Sequence, residues 1–281
     1  MALSYPARKA IDVLARALCV LATLLALVPL VSVLVYVAKA GLGSIDWSFF
    51  SELPTPAGEP GGGMRNAIAG TLVLVGLACT IGIPLGVAAG VYLAEFGESR
   101  FAKVVRFSAD VMSGVPSIAV GVFAYGVVVL SMRRFSALAG GFALGILMLP
   151  TVTRTTEELL RLVPQTLREG ALALGVPKWR ATLRIVLVTA LPGIATGVML
   201  AVARVAGETA PLLFTAFNNR FWSTALDRPI GSLPVQIYTY AVSPYDDWHR
   251  QASAAALVLV AMVLILNIAA RLFIRVRGGA K

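Results

Sequence analysis

The stretch Glu169–Pro211, EGALALGVPKWRATLRIVLVTALPGIATGVMLAVARVAGETAP, decides how the chain is read. It opens on a short polar segment, continues through a long apolar run, and closes on Arg204 and Glu208, four residues apart. Just upstream, Leu167, Ala171 and Leu174 fall at i, i+4 and i+7, which places them on one face of a helix over Gln165–Leu174. Pro164 suits the first turn of that helix, Gly175 provides a stop, and Pro177 provides a new start. At 1.5 Å per residue it reaches only about 15 Å, half of a hydrocarbon core. The residues leave two readings open: a helix that docks a partner between two membrane spans, or a helix lying on lipid headgroups.

Working outward, the composition is that of a membrane protein. The chain is 58% hydrophobic and 14% charged, with a mean hydropathy of +0.84, whereas soluble domains carry about 25% charged residues. Uncharged runs long enough to cross a bilayer as helices lie at 17–38, 66–94, 111–132, 135–153, 185–203 and 251–270. Six such runs predict an all-α integral membrane protein, because helices satisfy their own backbone groups in lipid.

The net charge of +10 is distributed in a way that points to membrane topology and away from nucleic acid. With the N-terminus inside and the spans alternating, the inside segments hold sixteen basic residues, including Arg8, Arg106, Arg154, Arg161, Arg168, Lys178, Arg275, Arg277 and Lys281, and the outside segments hold seven. That bias predicts cytoplasmic N- and C-termini, against the minor exception of Arg133 and Arg134 in a short outside turn. Cys19 and Cys79 both fall in apolar runs and imply no disulfide framework. Ala38-Lys39-Ala40 superficially resembles a signal cleavage site, but the preceding run is too long for a signal h-region, so a retained first span is expected.

The loop after that span carries Pro54, Pro56, Pro60 and Gly61-Gly62-Gly63, a linker composition. It sets a peripheral first span (11–40) apart from a core over 64–275 within a single transmembrane domain. Gly82, Gly86 and Gly90 form a doubled G-x-x-x-G, and Gly141/Gly145 and Gly193/Gly197 repeat the spacing. Small residues at that interval let helices approach closely, within the chain or against a partner. Segment 95–107 reads as a solvated basic connection, and Pro116 predicts an irregular start to the third span. Asn267 suits an interhelical hydrogen bond. The aromatics Phe214, Phe217, Phe221, Trp222, Tyr238, Tyr240, Tyr245 and Trp248 read as interfacial anchors or as a docking surface for an outside partner. His249, the single histidine, has no companion at metal-ligand spacing, so no metal site is expected.

Arg204 and Glu208 are the charged residues that need a reason. A charge in mid-hydrocarbon costs at least about 2.5–3.5 kcal/mol, so such groups face a cavity or each other. At i, i+4 they would share a helix face and pair. One reading is an ion pair that fixes helix orientation. The other is an anion site, for which the planar guanidinium fork is suited as lysine is not. No catalytic constellation accompanies them: there is no G-K-[ST] phosphate loop, H-E-x-x-H, C-x-x-C or G-x-S-x-G, so neither an enzyme nor a bound nucleotide is expected.

EGALALGVPKWRATLRIVL (169–187) resembles the coupling motif of ABC-importer permeases, with Glu169, Ala171, Gly175, Ile185 and Leu187 at the motif's spacing. Gly170 replaces its middle alanine and Val188 its usual proline. Further stretches, at 66–96, 113–125 (SGVPSIAVGVFAY), 149–175 and 203–223 (ARVAGETAPLLFTAFNNRFWS), resemble the A-type permease of the bacterial high-affinity phosphate importer. The resemblance implies a type I importer fold with six spans in the cytoplasmic (inner) membrane and a coupling helix between spans four and five. It implies a sister C-type permease as heterodimer partner, two cytoplasmic ATPase subunits that bind the ATP, and an extracytoplasmic phosphate-binding protein. It implies that Arg204 and Glu208 lie on the phosphate path and that Glu169, Gly170, Ala171 and Gly175 sit in an ATPase cleft. ATPase closure would then push the coupling helix and tilt span five. A permease for sulfate or molybdate, a channel, and a phosphate-sensing membrane subunit are the remaining alternatives.

Overall fold

The computed structural model describes residues 4–56, 58–59 and 61–278. Pro60 and Lys281, and the side chains of Arg8, Arg275 and Arg277, lie outside the described residues. Among the described residues, besides a 3-10 turn at Leu42–Ser44, eleven helices form in chain order: α1 Tyr5–Gly41, α2 Trp47–Ser51, α3 Arg65–Glu95, α4 Arg100–Gly114, α5 Ser117–Met132, α6 Ala137–Arg161, α7 Gln165–Ala173, α8 Lys178–Ala206, α9 Ala210–Thr215, α10 Leu233–Ala241 and α11 Asp246–Gly278. No strand occurs among the described residues. Five of these helices (α1, α3, α6, α8 and α11) are long and apolar enough to cross a membrane, and the bent pair α4–α5 supplies the sixth crossing.

The pair α3–α6 is the spine of the bundle. A Cβ on Gly82 would stand 2.8 Å from Met148 Cβ, one on Gly86 2.7 Å from Val152 Cβ, and one on Gly90 2.5 Å from Thr156 Cβ. Gly141 and Gly145 on α6 receive Leu77 and Ile81 in return. The doubled glycine motif therefore joins two parallel helices of the same chain along three successive turns. The helices α6 and α8 are antiparallel, with Gly193 against Leu159 and Gly197 against Thr155. Gly86→Leu forces a side chain into Val152 and is expected to cost about 1–3 kcal/mol of stability. Gly76→Leu, on the open side of the same helix, should shift stability by no more than about 0.5 kcal/mol. Thermal unfolding of the solubilised chain separates the two.

Three local readings of the sequence require correction. The basic connection over 95–107 contains the start of a helix, α4, capped by Ser99, whose Oγ accepts the Ala102 N–H at 3.0 Å. Its small residues Ala102 and Ala109 are buried, while Phe101, Val104, Phe107 and Val111 are exposed, so interleaved cations masked an amphipathic pattern. The expected third run, 111–132, is not one straight span, because the chain turns by 108° between α4 and α5 at Val115-Pro116. Proline there lacks the N–H needed to continue α4 and its ring clashes with the preceding turn. Asn267 donates to the carbonyl of Val263 at 2.8 Å in its own helix, and among the described residues it makes no bond to another helix.

The helix α1 stands largely apart. Its residues from Ile11 to Tyr36 are exposed, and it meets the bundle at Gly41, packed on the Ser253–Ala254 backbone of α11.

Candidate functional site

The helix α8 brings the two charged residues to the middle of the bundle. Gly197 packs on Thr155, eighteen residues into α6, about 27 Å from its start; Arg204, seven residues on and antiparallel, stands about 16 Å from that end. With a hydrocarbon core about 30 Å thick, that is the midplane. The same level is reached from another direction: Gly121 of α5 packs on Pro211, and Val120 shares a groove with Ile146 and Leu147 of α6.

The expected i, i+4 pair forms, but loosely and not along one unbroken helix. The helix α8 ends at Ala206, and Glu208 lies in the connection to α9. Gly207 weakens the helix, and Pro211 offers no N–H to the Gly207 carbonyl, so the ladder breaks between the two charges. Pro211 instead occupies the first turn of α9, where its missing N–H costs nothing. The Arg204 Nε to Glu208 Oε1 separation is 4.0 Å, beyond hydrogen bonding. The Arg204 side chain is 53% exposed and Glu208 18%. Arg204 is thus a guanidinium at mid-membrane depth, turned out of its own chain and loosely held. Alone in lipid that arrangement is unfavourable, so it calls for a polar neighbour, and a guanidinium fork is matched to oxyanions.

The second element lies at the opposite level of α6. The helix α7 spans Gln165–Ala173, Gly175 takes φ +74, and Pro177 caps the next helical turn. The left-handed backbone at Gly175 lets the chain reverse within three residues, a conformation a side chain resists by about 1–2 kcal/mol. Glu169 and Gly170 face outward, Ala171 is buried, and among the described residues Glu169 makes no ion pair. A widened, π-helical turn at Thr182–Val186 then leads into the apolar part of α8.

Two carboxylates with buried side chains, at the α7 end of the bundle, were not singled out by the sequence. Glu157, with its side chain 2% exposed, accepts from Arg106 of α4 at 2.7 Å and from Arg154 at 3.1 Å, and pairs with Arg161 at 2.8 Å. Arg154 also donates to Asp110 at 2.8 Å, so α4 is fastened to α6 by charge-assisted bonds. Glu95, at the last turn of α3 and 7% exposed, bonds Arg168 of α7 and lies 3.8 Å from Lys178. The spacing Arg154/Glu157/Arg161 could have been read as i, i+3 and i, i+4 pairs. The Glu95 contact, across 73 residues, had no local signal.

At the far end, the aromatic residues divide. Tyr240 stacks on Trp248 with centroids 4.2 Å apart, Phe135 stacks on Phe217, and Arg65 lies over Trp222, while Phe221 is 77% exposed. His249 Nε2 lies 2.7 Å from the Ser243 carbonyl oxygen, and no metal-binding cluster occurs among the described residues.

Residues 82–276 match the family described as binding-protein-dependent transport system inner membrane component. Among curated proteins, the chain is 49% identical over 243 residues to the phosphate transport system permease protein PstA of Yersinia pestis, covering 86% of this chain and 82% of that one. It is 48% identical to the PstA of Haemophilus influenzae, covering 83% of each, and 42% identical to PstA 1 of Mycobacterium tuberculosis, covering 74% and 68%. Among solved structures, an inward-facing MetNI methionine ABC transporter aligns with a TM-score of 0.61 at 20% identity, over 75% of this chain and 92% of that one. An amino acid ABC transporter aligns with a TM-score of 0.57 at 19% identity, over 75% and 92%. At those identities the structural likeness speaks to the fold, which is that of type I ABC-importer permeases.

Proposed function

The chain belongs to the PstA family of phosphate transport system permeases, and from that membership we propose how it moves its cargo and with which partners. It is the inner-membrane permease subunit of a phosphate ABC transporter and works within a complex of several subunits. The reading beyond this is that it pairs with a sister C-type permease and two cytoplasmic ATPase subunits, and receives phosphate from an extracytoplasmic binding protein. The permease itself needs no cofactor, since ATP is bound by the ATPase partners. Both termini then face the cytoplasm, which puts α7 and its basic neighbours on the ATPase side, as the charge bias requires.

In this account phosphate passes between the two permeases at the level of Arg204. The observation that carries it is a half-exposed guanidinium at the midplane, 4.0 Å from its nearest acid and turned out of the chain. Its fork can donate two N–H bonds to one oxyanion. Glu208 lies close enough to take the guanidinium when no anion is bound, so the site is neutral when empty and open to exchange. The helix α7, with Glu169 and Gly170 outward, supplies the contact for the ATPase. Its movement is transmitted to α8 through the Gly175–Pro177 reversal and the widened turn at Thr182–Val186.

The test is to co-express the chain with the sister permease, ATPase and binding protein, purify the assembly, and measure ATP hydrolysis with and without phosphate. Stimulation by phosphate-loaded binding protein supports the reading. Hydrolysis that ignores phosphate but responds to sulfate or molybdate would transfer it to the other oxyanions.

A further inference from the structure

We propose that Glu95 is the positioning residue through which the α7 segment grips the α3–α6 spine, so that the ATPase stroke moves that pair as well as α8. The inference rests on the coupling role proposed above for α7.

The attachment of α7 is sparse. Of its nine residues only Ala171 is buried, and a polar cavity of about 320 Å³ opens beneath it, between Glu95, Arg161, Glu169 and Lys178. Apolar packing therefore holds the helix at one point. The remaining contacts are polar and centre on one carboxylate. Arg168, before the reversal at Gly175, bonds Glu95 and also donates to the Leu160 carbonyl of α6 at 3.1 Å. Lys178, after the reversal, lies 3.8 Å from the other oxygen of Glu95 and 5.1 Å from the ring of Phe96. The end of α3 thus holds the reversing segment from both sides.

Burial makes this contact matter. With 7% of its side chain exposed, Glu95 is largely shielded from water, so separating it from Arg168 leaves the carboxylate with Lys178, at 3.8 Å, as its remaining cation. A rigid displacement of α7 must then carry Glu95 with it. Because Gly82, Gly86 and Gly90 lock α3 onto α6, displacing the end of α3 displaces the pair. The widened turn at Thr182–Val186 gives α8 a more compliant junction with the same segment. One stroke can then shift the α3–α6 pair relative to α8 and the face that carries Arg204.

The experiment is a double-mutant cycle in the complete reconstituted importer: wild type, Glu95→Gln, Arg168→Gln and the double variant. Two quantities are read: phosphate imported per ATP hydrolysed, and ATP hydrolysis without binding protein. Each single variant is expected to lower the first quantity about fivefold, and the double variant no further than the worse single, because both remove one contact. Losses that multiply in the double variant, or an unchanged ratio in Glu95→Gln, overturn the proposal. If Glu95→Gln does not assemble, Arg168→Lys and Arg168→Gln read the same contact from the other side. Retention by Lys with loss by Gln upholds it, and equal behaviour overturns it. The failures are separable: a wild-type complex that hydrolyses ATP but moves no phosphate sinks the functional reading. The cycle in hydrolysis alone then decides the role of Glu95.

Discussion

Arg204→Lys is expected to lower phosphate uptake by about ten- to a hundredfold while leaving expression, assembly and basal ATP hydrolysis near wild type. The size follows from chemistry at one atom group. Lysine keeps the charge but replaces a planar fork with a point donor, so one of two charge-assisted bonds to the anion is lost. Such a bond is worth about 1.5–3 kcal/mol, and each 1.4 kcal/mol is a factor of ten. The structure makes the prediction specific, because the side chain is 53% exposed and loosely held and therefore supports little of the fold. A structural staple would behave in the opposite way: Arg204→Lys would transport normally, and Arg204→Ala would unfold or misassemble. The discriminating measurement is labelled-phosphate uptake normalised to assembled complex.

The second large effect is expected at the other end of α8. Glu169→Arg should leave the chain folded, since Glu169 is exposed and among the described residues makes no ion pair to lose. It reverses the charge that α7 presents to its partner, where like-charge juxtaposition costs several kcal/mol. Uptake should therefore fall about tenfold or more, together with the fraction of ATPase that co-purifies. Wild-type uptake by a normally assembled Glu169→Arg complex would show that α7 is not the docking element, and would favour the alternative of a helix resting on headgroups.

What the sequence made legible was what local rules govern. Pro164, Gly175 and Pro177 bracket α7 because each acts on its own backbone: proline through its fixed φ and missing N–H, glycine through φ +74. The apolar runs marked the crossings because hydrocarbon imposes length and composition together. The doubled glycine motif announced a close approach, although only the structure shows that its partner is α6. Less legible was everything that depends on which element lies opposite. The break between Arg204 and Glu208 was written in Gly207 and Pro211, but their i, i+4 spacing invited an unbroken helix. The helix α4 was hidden because its cations fall between its apolar residues, and Arg106 is spent on Glu157. The Glu95–Arg168 contact joins positions 73 apart, and no spacing rule reaches that far. Asn267 shows the opposite hazard: a polar residue in a membrane helix finds a sufficient acceptor one turn back at Val263.

The functional elements share one helix and one spine. The guanidinium at the midplane and the reversing segment are the two ends of α8, and α3–α6 connects to the same segment through Glu95. In the proposed mechanism, access to the anion changes when one packed pair shifts against another, without rebuilding either. That mechanism asks little of the loosely held Arg204 beyond being turned to one side or the other.

Transport by the complete complex is the most direct test. Vesicles containing the complete complex, with ATP on the α7 side and phosphate-loaded binding protein on the other, should accumulate labelled phosphate. That accumulation should stop when the ATPase is inactivated, and excess sulfate or molybdate should not displace it. Accumulation that continues with an inactive ATPase, or that sulfate or molybdate abolishes, would contradict it.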